Sequence, residues 1–85
     1  MYEIKPANKK TEKKINEYKE RRNDIYRKLE ALQENPREAN AAHPLKGRLA
    51  GKWACWLGSN IRIVYFINEE NKWIEIENIG THKIY

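Results

Sequence analysis

The hydrophobic period of this chain changes once, at about Lys52, and that change confines it to a helical half followed by a strand half. From Asn8 to Asn35 there is no Gly or Pro, and Ile15, Tyr18, Ile25, Leu29 and Leu32 recur like one face of a helix. Pro36 ends that segment. A single helix over the whole span, rising about 1.5 Å per residue, would be ~40 Å long, more than a compact domain of this size spans. Arg22 falls where the apolar stripe should continue, and Asn23 or Asp24 can cap a second helix. The sequence therefore predicts a break near Lys19–Asn23 and an antiparallel helix pair.

Beyond Lys52 the period is two. Ile61, Ile63, Tyr65 and Ile67 alternate with Arg62, Val64, Phe66 and Asn68, and Ile74 and Ile76 alternate with Trp73, Glu75 and Glu77. Gly58-Ser59-Asn60 and Asn68-Glu69-Glu70-Asn71 are short turns between these strands. Tyr2-Glu3-Ile4 reads as a short strand before the helices, and residues 36–42 as a loop. The expected fold class is α+β: a short N-terminal strand and two helices packed on one face of an antiparallel β-meander, with residues 1–85 forming a single domain.

Seventeen Lys and Arg against twelve Asp and Glu give a net charge of +5, which favours encounter with polyanions such as nucleic acid and also keeps a small protein dissolved. The single cysteine, Cys55, has no internal disulfide partner and reads as a small buried hydrophobe. The N-terminus carries no apolar run like a signal peptide, and no stretch approaches the ~20 apolar residues of a membrane span, so a cytoplasmic protein without membrane contact is expected. Two histidines and one cysteine far apart lack zinc-site spacing, and neither metal nor cofactor is expected.

If the Gly58–Asn60 turn is a three-residue hairpin loop, Leu57 pairs with Ile61, and Trp56 and Arg62 become cross-strand neighbours on one face. Ile61, Ile63 and Ile67 then face the helices, and Arg62 stands on the open face. The planar fork of an arginine held on a strand suits two oxygens of one phosphate; the alternative for Arg62 is a cross-strand ion pair with Glu75 or Glu77. RNA can be cleaved without a metal because its own 2′-hydroxyl is a nucleophile, provided one group takes that proton and another donates to the departing 5′-oxygen. Imidazole serves either role near neutral pH. The only two histidines, His43 in the loop before the sheet and His82 past the last strand, flank the Arg62 strand, although each alone reads equally as an ordinary surface or packed residue. Of the tryptophans, Trp53 falls on the helix side with Tyr65, whereas Trp56 accompanies Arg62 and can stack on a base.

These residues together resemble the RelE/YoeB/YafQ branch of the RelE/ParE toxin superfamily, small mRNA endonucleases of toxin–antitoxin pairs. His43-Pro44-Leu45-Lys46-Gly47 is similar to the His-Pro-Leu-X-Gly of YafQ-type toxins, and YoeB-type toxins carry a glutamate base at that place. Ile61-Arg62-Ile63-Val64-Tyr65 resembles the family strand whose arginine holds the scissile phosphate, and Gly80-Thr81-His82 resembles the YafQ C-terminus. The resemblance implies His43 as general base, Arg62 as phosphate ligand, His82 as general acid and Tyr85 as the terminal aromatic. It implies RNA contacts by Lys46, Arg48, Lys52 and Trp56. It departs from RelE in placing Trp53 and Cys55 where that toxin has two lysines, and from YafQ in having Trp56 in place of a strand histidine. Two residues rather than the family's three separate His82 from Tyr85.

The resemblance further implies a type II toxin that cleaves mRNA in the ribosomal A site, and a cognate RelB-like antitoxin as partner. Two other readings use the same fold: a ParE-like gyrase inhibitor that binds without RNA chemistry, and a catalytically silent binding module.

Overall fold

A computed structural model describes residues 1–58 and 60–81. The helical segment is broken where the sequence predicts, into α1 (Lys9–Arg21) and α2 (Asp24–Glu34). Compactness requires the break, because the longest dimension of the molecule is 30 Å. The side chain of Asn8 caps α1 by accepting from the Thr11 amide at 2.8 Å, and Arg22 leaves the helical path with φ −135°. Its guanidinium then forks onto Asp24 in the first turn of α2, with bonds of 3.1 and 2.9 Å that hold the carboxyl below its usual range. The same guanidinium lies 2.7 Å from where a Cβ on Gly58 would stand. With φ +135°, Gly58 is required there by its backbone conformation.

The sheet contains β1 (Glu3–Pro6), β2 (His43–Pro44), β3 (Trp53–Trp56), β4 (Arg62–Asn68) and β5 (Trp73–Gly80), in the order β1-β5-β4-β3-β2. The β3–β4–β5 meander is antiparallel as expected, but β1 runs parallel to β5 and makes the sheet mixed. The chain between β1 and β5 comprises the helix pair and the three other strands, so β1 is joined to its parallel neighbour only through the rest of the fold. His43, expected in a loop, instead forms with Pro44 an edge strand against Ala54 and Trp53. Two residues are too short a run for any periodic signal.

The helices cover one face. Ile15, Ile25, Leu29 and Leu32 pack with Cys55, Leu57, Ile61, Ile63, Tyr65, Ile67, Ile74, Ile76 and Ile79, and Trp53 packs partly buried against them. Each such aliphatic side chain, fully buried, is worth ~1.5–3 kcal/mol. The Tyr65 hydroxyl, deep in this layer, donates to the Pro36 carbonyl at 2.6 Å, which satisfies its polar end and pins the segment leaving α2. In β5 the period of two is interrupted once. Tyr65 pairs with Ile76 and Val64 with Asn78, so Glu77 is the extra residue of a bulge, and the bulge returns Ile79 to the core. From the helix layer, the buried Thr11 hydroxyl donates to the Glu77 carbonyl at 3.3 Å.

Candidate functional site

Directly opposed residues of an antiparallel pair share a face, so the register assigns the open side of the sheet. One row across it is His43, Ala54, Val64 and Asn78; the next is Trp56, Arg62 and Gly80. The expected pairing of Trp56 with Arg62 is present, and the Arg62 guanidinium carbon lies 4.0 Å from the Trp56 ring centroid. This stack draws the guanidinium over β3, towards the strand that carries His43. Two strand spacings of ~4.8 Å and one two-residue step of ~6.7 Å separate the backbones of His43 and Arg62. Both residues thus belong to the same face of the sheet.

Local backbone aims His43. Asn40 and Ala41 both adopt left-handed conformations, with φ of 57° and 60°. Asparagine tolerates this and is anchored by its side-chain amide, which donates to the Lys28 carbonyl of α2 at 2.8 Å. Alanine does not favour it, and such a residue costs roughly 1–2 kcal/mol. What the strain provides is a carbonyl in the right place: the Ala41 oxygen lies 3.1 Å from His43 Nδ1. The carbonyl oxygen can only accept, so Nδ1 carries the proton in this contact. The sequence marks residues 36–42 as a loop but carries no sign of the left-handed conformation at Ala41.

The other residues chosen from sequence divide into three groups. Lys46 and Arg48 are exposed on the turn that joins β2 to β3, where Gly47 has φ +67°, so their cations stand on the His43 edge of the sheet. Lys52 is held against Glu77, an ion pair that spans β4. Glu77, one of the two carboxylates considered for Arg62, is therefore engaged by a different cation. His82 and Tyr85 lie outside the described residues; Gly80 pairs directly with Arg62. Cys55 is buried on the helix side, and burial pushes its thiol up to about 12, so it is a packed hydrophobe rather than a nucleophile. Among the described residues, no three His, Cys, Asp or Glu side chains group as metal ligands. No helix among them is long and apolar enough to cross a membrane.

A groove of about 500 Å³ lies on the helix side, lined by Ile4, Ile15, Lys19, Tyr26 and Leu29 among others. It contains none of the residues chosen from sequence. The residues chosen from sequence on the opposite face include His43, Trp56 and Arg62, in rows whose Ala54 and Val64 are themselves buried.

The architecture, two helices on a five-stranded mixed sheet, is the α+β fold of the RelE/YoeB toxins. Similar solved structures include the YoeB–YefM complex from Staphylococcus aureus, with 17% identity, 96% of this chain and 98% of that one covered, and a TM-score of 0.74. YafQ from E. coli matches with 17% identity, 96% and 94% coverage and a TM-score of 0.66. A metal-bound toxin from Helicobacter pylori matches with 24% identity over 100% of both chains and a TM-score of 0.74. No protein-family model and no curated protein matches the sequence. The fold that the motif resemblance implies is thus the fold observed.

Proposed function

We propose that this chain is the toxin of a type II toxin–antitoxin system, a ribosome-dependent endoribonuclease that cleaves mRNA by acid–base chemistry needing no metal ion. The observation that carries the reading is the common face of His43 and Arg62, with the arginine stacked on Trp56 and the imidazole Nδ1 turned to the Ala41 carbonyl. His43 Nε2 takes the proton of the 2′-hydroxyl, whose oxygen attacks the adjacent phosphorus. Arg62 stabilises the charge that accumulates on the phosphate oxygens, while Lys46 and Arg48, on the turn beyond His43, attract the phosphates of the flanking strand. His82 donates a proton to the departing 5′-oxygen, and the products are a 2′,3′-cyclic phosphate and a 5′-hydroxyl. Tyr85 corresponds in the resemblance to the family's terminal aromatic and is assigned to the same chemistry.

The neighbours that are solved with an antitoxin support a cognate partner here, a RelB-like antitoxin that covers the basic surface with acidic groups. The site of action is the cytoplasm, on mRNA in the ribosomal A site.

Mapping the 5′ ends of cellular mRNA during expression tests the proposal. Cuts in phase with codons are expected, together with translational arrest. DNA damage without such cuts would instead identify a ParE-like gyrase inhibitor and overturn the endonuclease reading.

A further inference from the structure

Three side chains on the open face have no part in the catalytic scheme. Phe66 is 41% accessible, an aromatic ring left in water on the face opposite a closed core. It pairs with Glu75 on β5, and the β3 register continued by one residue sets Lys52 opposite it on the other side. The Lys52–Glu77 ion pair crosses β4 on this same face, its two side chains 31% and 27% accessible. The bulge and the Thr11 hydroxyl bond hold the Glu77 backbone from the helix side.

We propose that Phe66, Lys52 and Glu77 form a base-reading subsite that accepts an unstacked guanine of the RNA strand, one row along the sheet from the scissile phosphate. The inference rests on the RNA-cleaving function proposed above and adds the source of its sequence preference. A lone lysine attracts phosphate and reads nothing, whereas a paired lysine and carboxylate present a donor beside an acceptor and are neutral together. Both keep hydrogen-bonding capacity after pairing, because a carboxylate has two acceptor oxygens and an ammonium has three donors. Guanine alone offers two adjacent N–H donors, at N1 and N2, with the acceptor O6 beside them. The carboxylate takes the first two and the ammonium the third, while Phe66 supplies the stacking surface. Adenine, cytosine and uracil each present a single ring-edge donor site to the carboxylate and lose one of these bonds.

The test compares the cleavage-site spectra of the parent and Glu77→Gln, mapped on cellular mRNA at matched protein levels. The parent is expected to favour guanine at one position near the cut. E77Q should still cleave but lose that preference by roughly ten- to a hundred-fold, the scale of one bidentate base contact. Phe66→Leu should weaken cleavage at all sites without changing the preferred base. A measurement free of any variant is the binding of the parent to oligoribonucleotides with inosine in place of guanosine, which lack the N2 donor and should bind several-fold more weakly. Equal guanine preference in E77Q and parent, no guanine preference in the parent, or equal binding of the inosine RNA would each overturn the subsite while leaving the endonuclease intact. A parent that cuts no RNA at all would overturn the endonuclease reading and this subsite with it.

Discussion

His43→Ala is expected to slow RNA cleavage by roughly 10²- to 10⁴-fold, the range that a positioned general base contributes, with almost no effect on the fold. The residue is exposed on a two-residue edge strand and lies outside the apolar cluster, so its truncation should change stability by no more than ~0.5 kcal/mol. What disappears is the imidazole whose Nδ1 meets the Ala41 carbonyl. Single-turnover cleavage on programmed ribosomes, beside thermal unfolding of the same preparation, separates the two quantities. A variant that cleaved at the parental rate would remove His43 from the mechanism.

Arg62→Lys keeps the charge and is nonetheless expected to lower the rate by roughly 10²- to 10³-fold, the cost of losing one preorganised donor to a developing oxyanion. The reason is shape. The guanidinium is a planar fork lying 4.0 Å over the Trp56 ring, which fixes its plane and its direction over β3. An ammonium on a flexible stem has neither the second parallel N–H nor the flat surface for stacking. Substrate affinity should fall much less than the rate, since Lys46 and Arg48 and the overall charge of +5 still attract RNA. Equal losses in binding and in rate would mean that Arg62 serves only as a phosphate anchor.

Much of this geometry is legible in the sequence because its causes are local. The three-residue turn after Leu57 sets the hairpin register, and the register alone puts Trp56 and Arg62 on one face. The helix break follows from length against compactness and from Arg22 in the apolar stripe, although the sequence does not reveal that this arginine lies beside Gly58 of the hairpin. What escapes a sequence reading is non-local. The parallel pairing of β1 with β5 joins residues some seventy positions apart, and no period encodes it. The edge strand at His43 exists because Ala54 and Trp53 offer it a ladder.

The bulge at Glu77 sits between these extremes. Ile74, Ile76 and Ile79 break the period of two by one residue, a signal present in the chain, but its consequence depends on β4. It commits Glu77 to Lys52, a pairing that charge counting leaves open because Lys46, Arg48 and Arg62 are equally basic neighbours. The left-handed pair Asn40-Ala41, which orients the proposed base, is invisible for a different reason: alanine carries no sequence mark of positive φ, and only tertiary anchoring through Lys28 sustains it.

The most direct test of the mechanism replaces the single nucleotide 5′ to the cut with its 2′-deoxy analogue in an mRNA bound to programmed ribosomes. The predicted result is that the all-ribose message is cut to a 2′,3′-cyclic phosphate end while the deoxy-substituted message stays whole at that position. Cleavage of both messages at the same rate would show that the strand's own hydroxyl is not the nucleophile and would contradict the assignment of His43 and Arg62 to this chemistry.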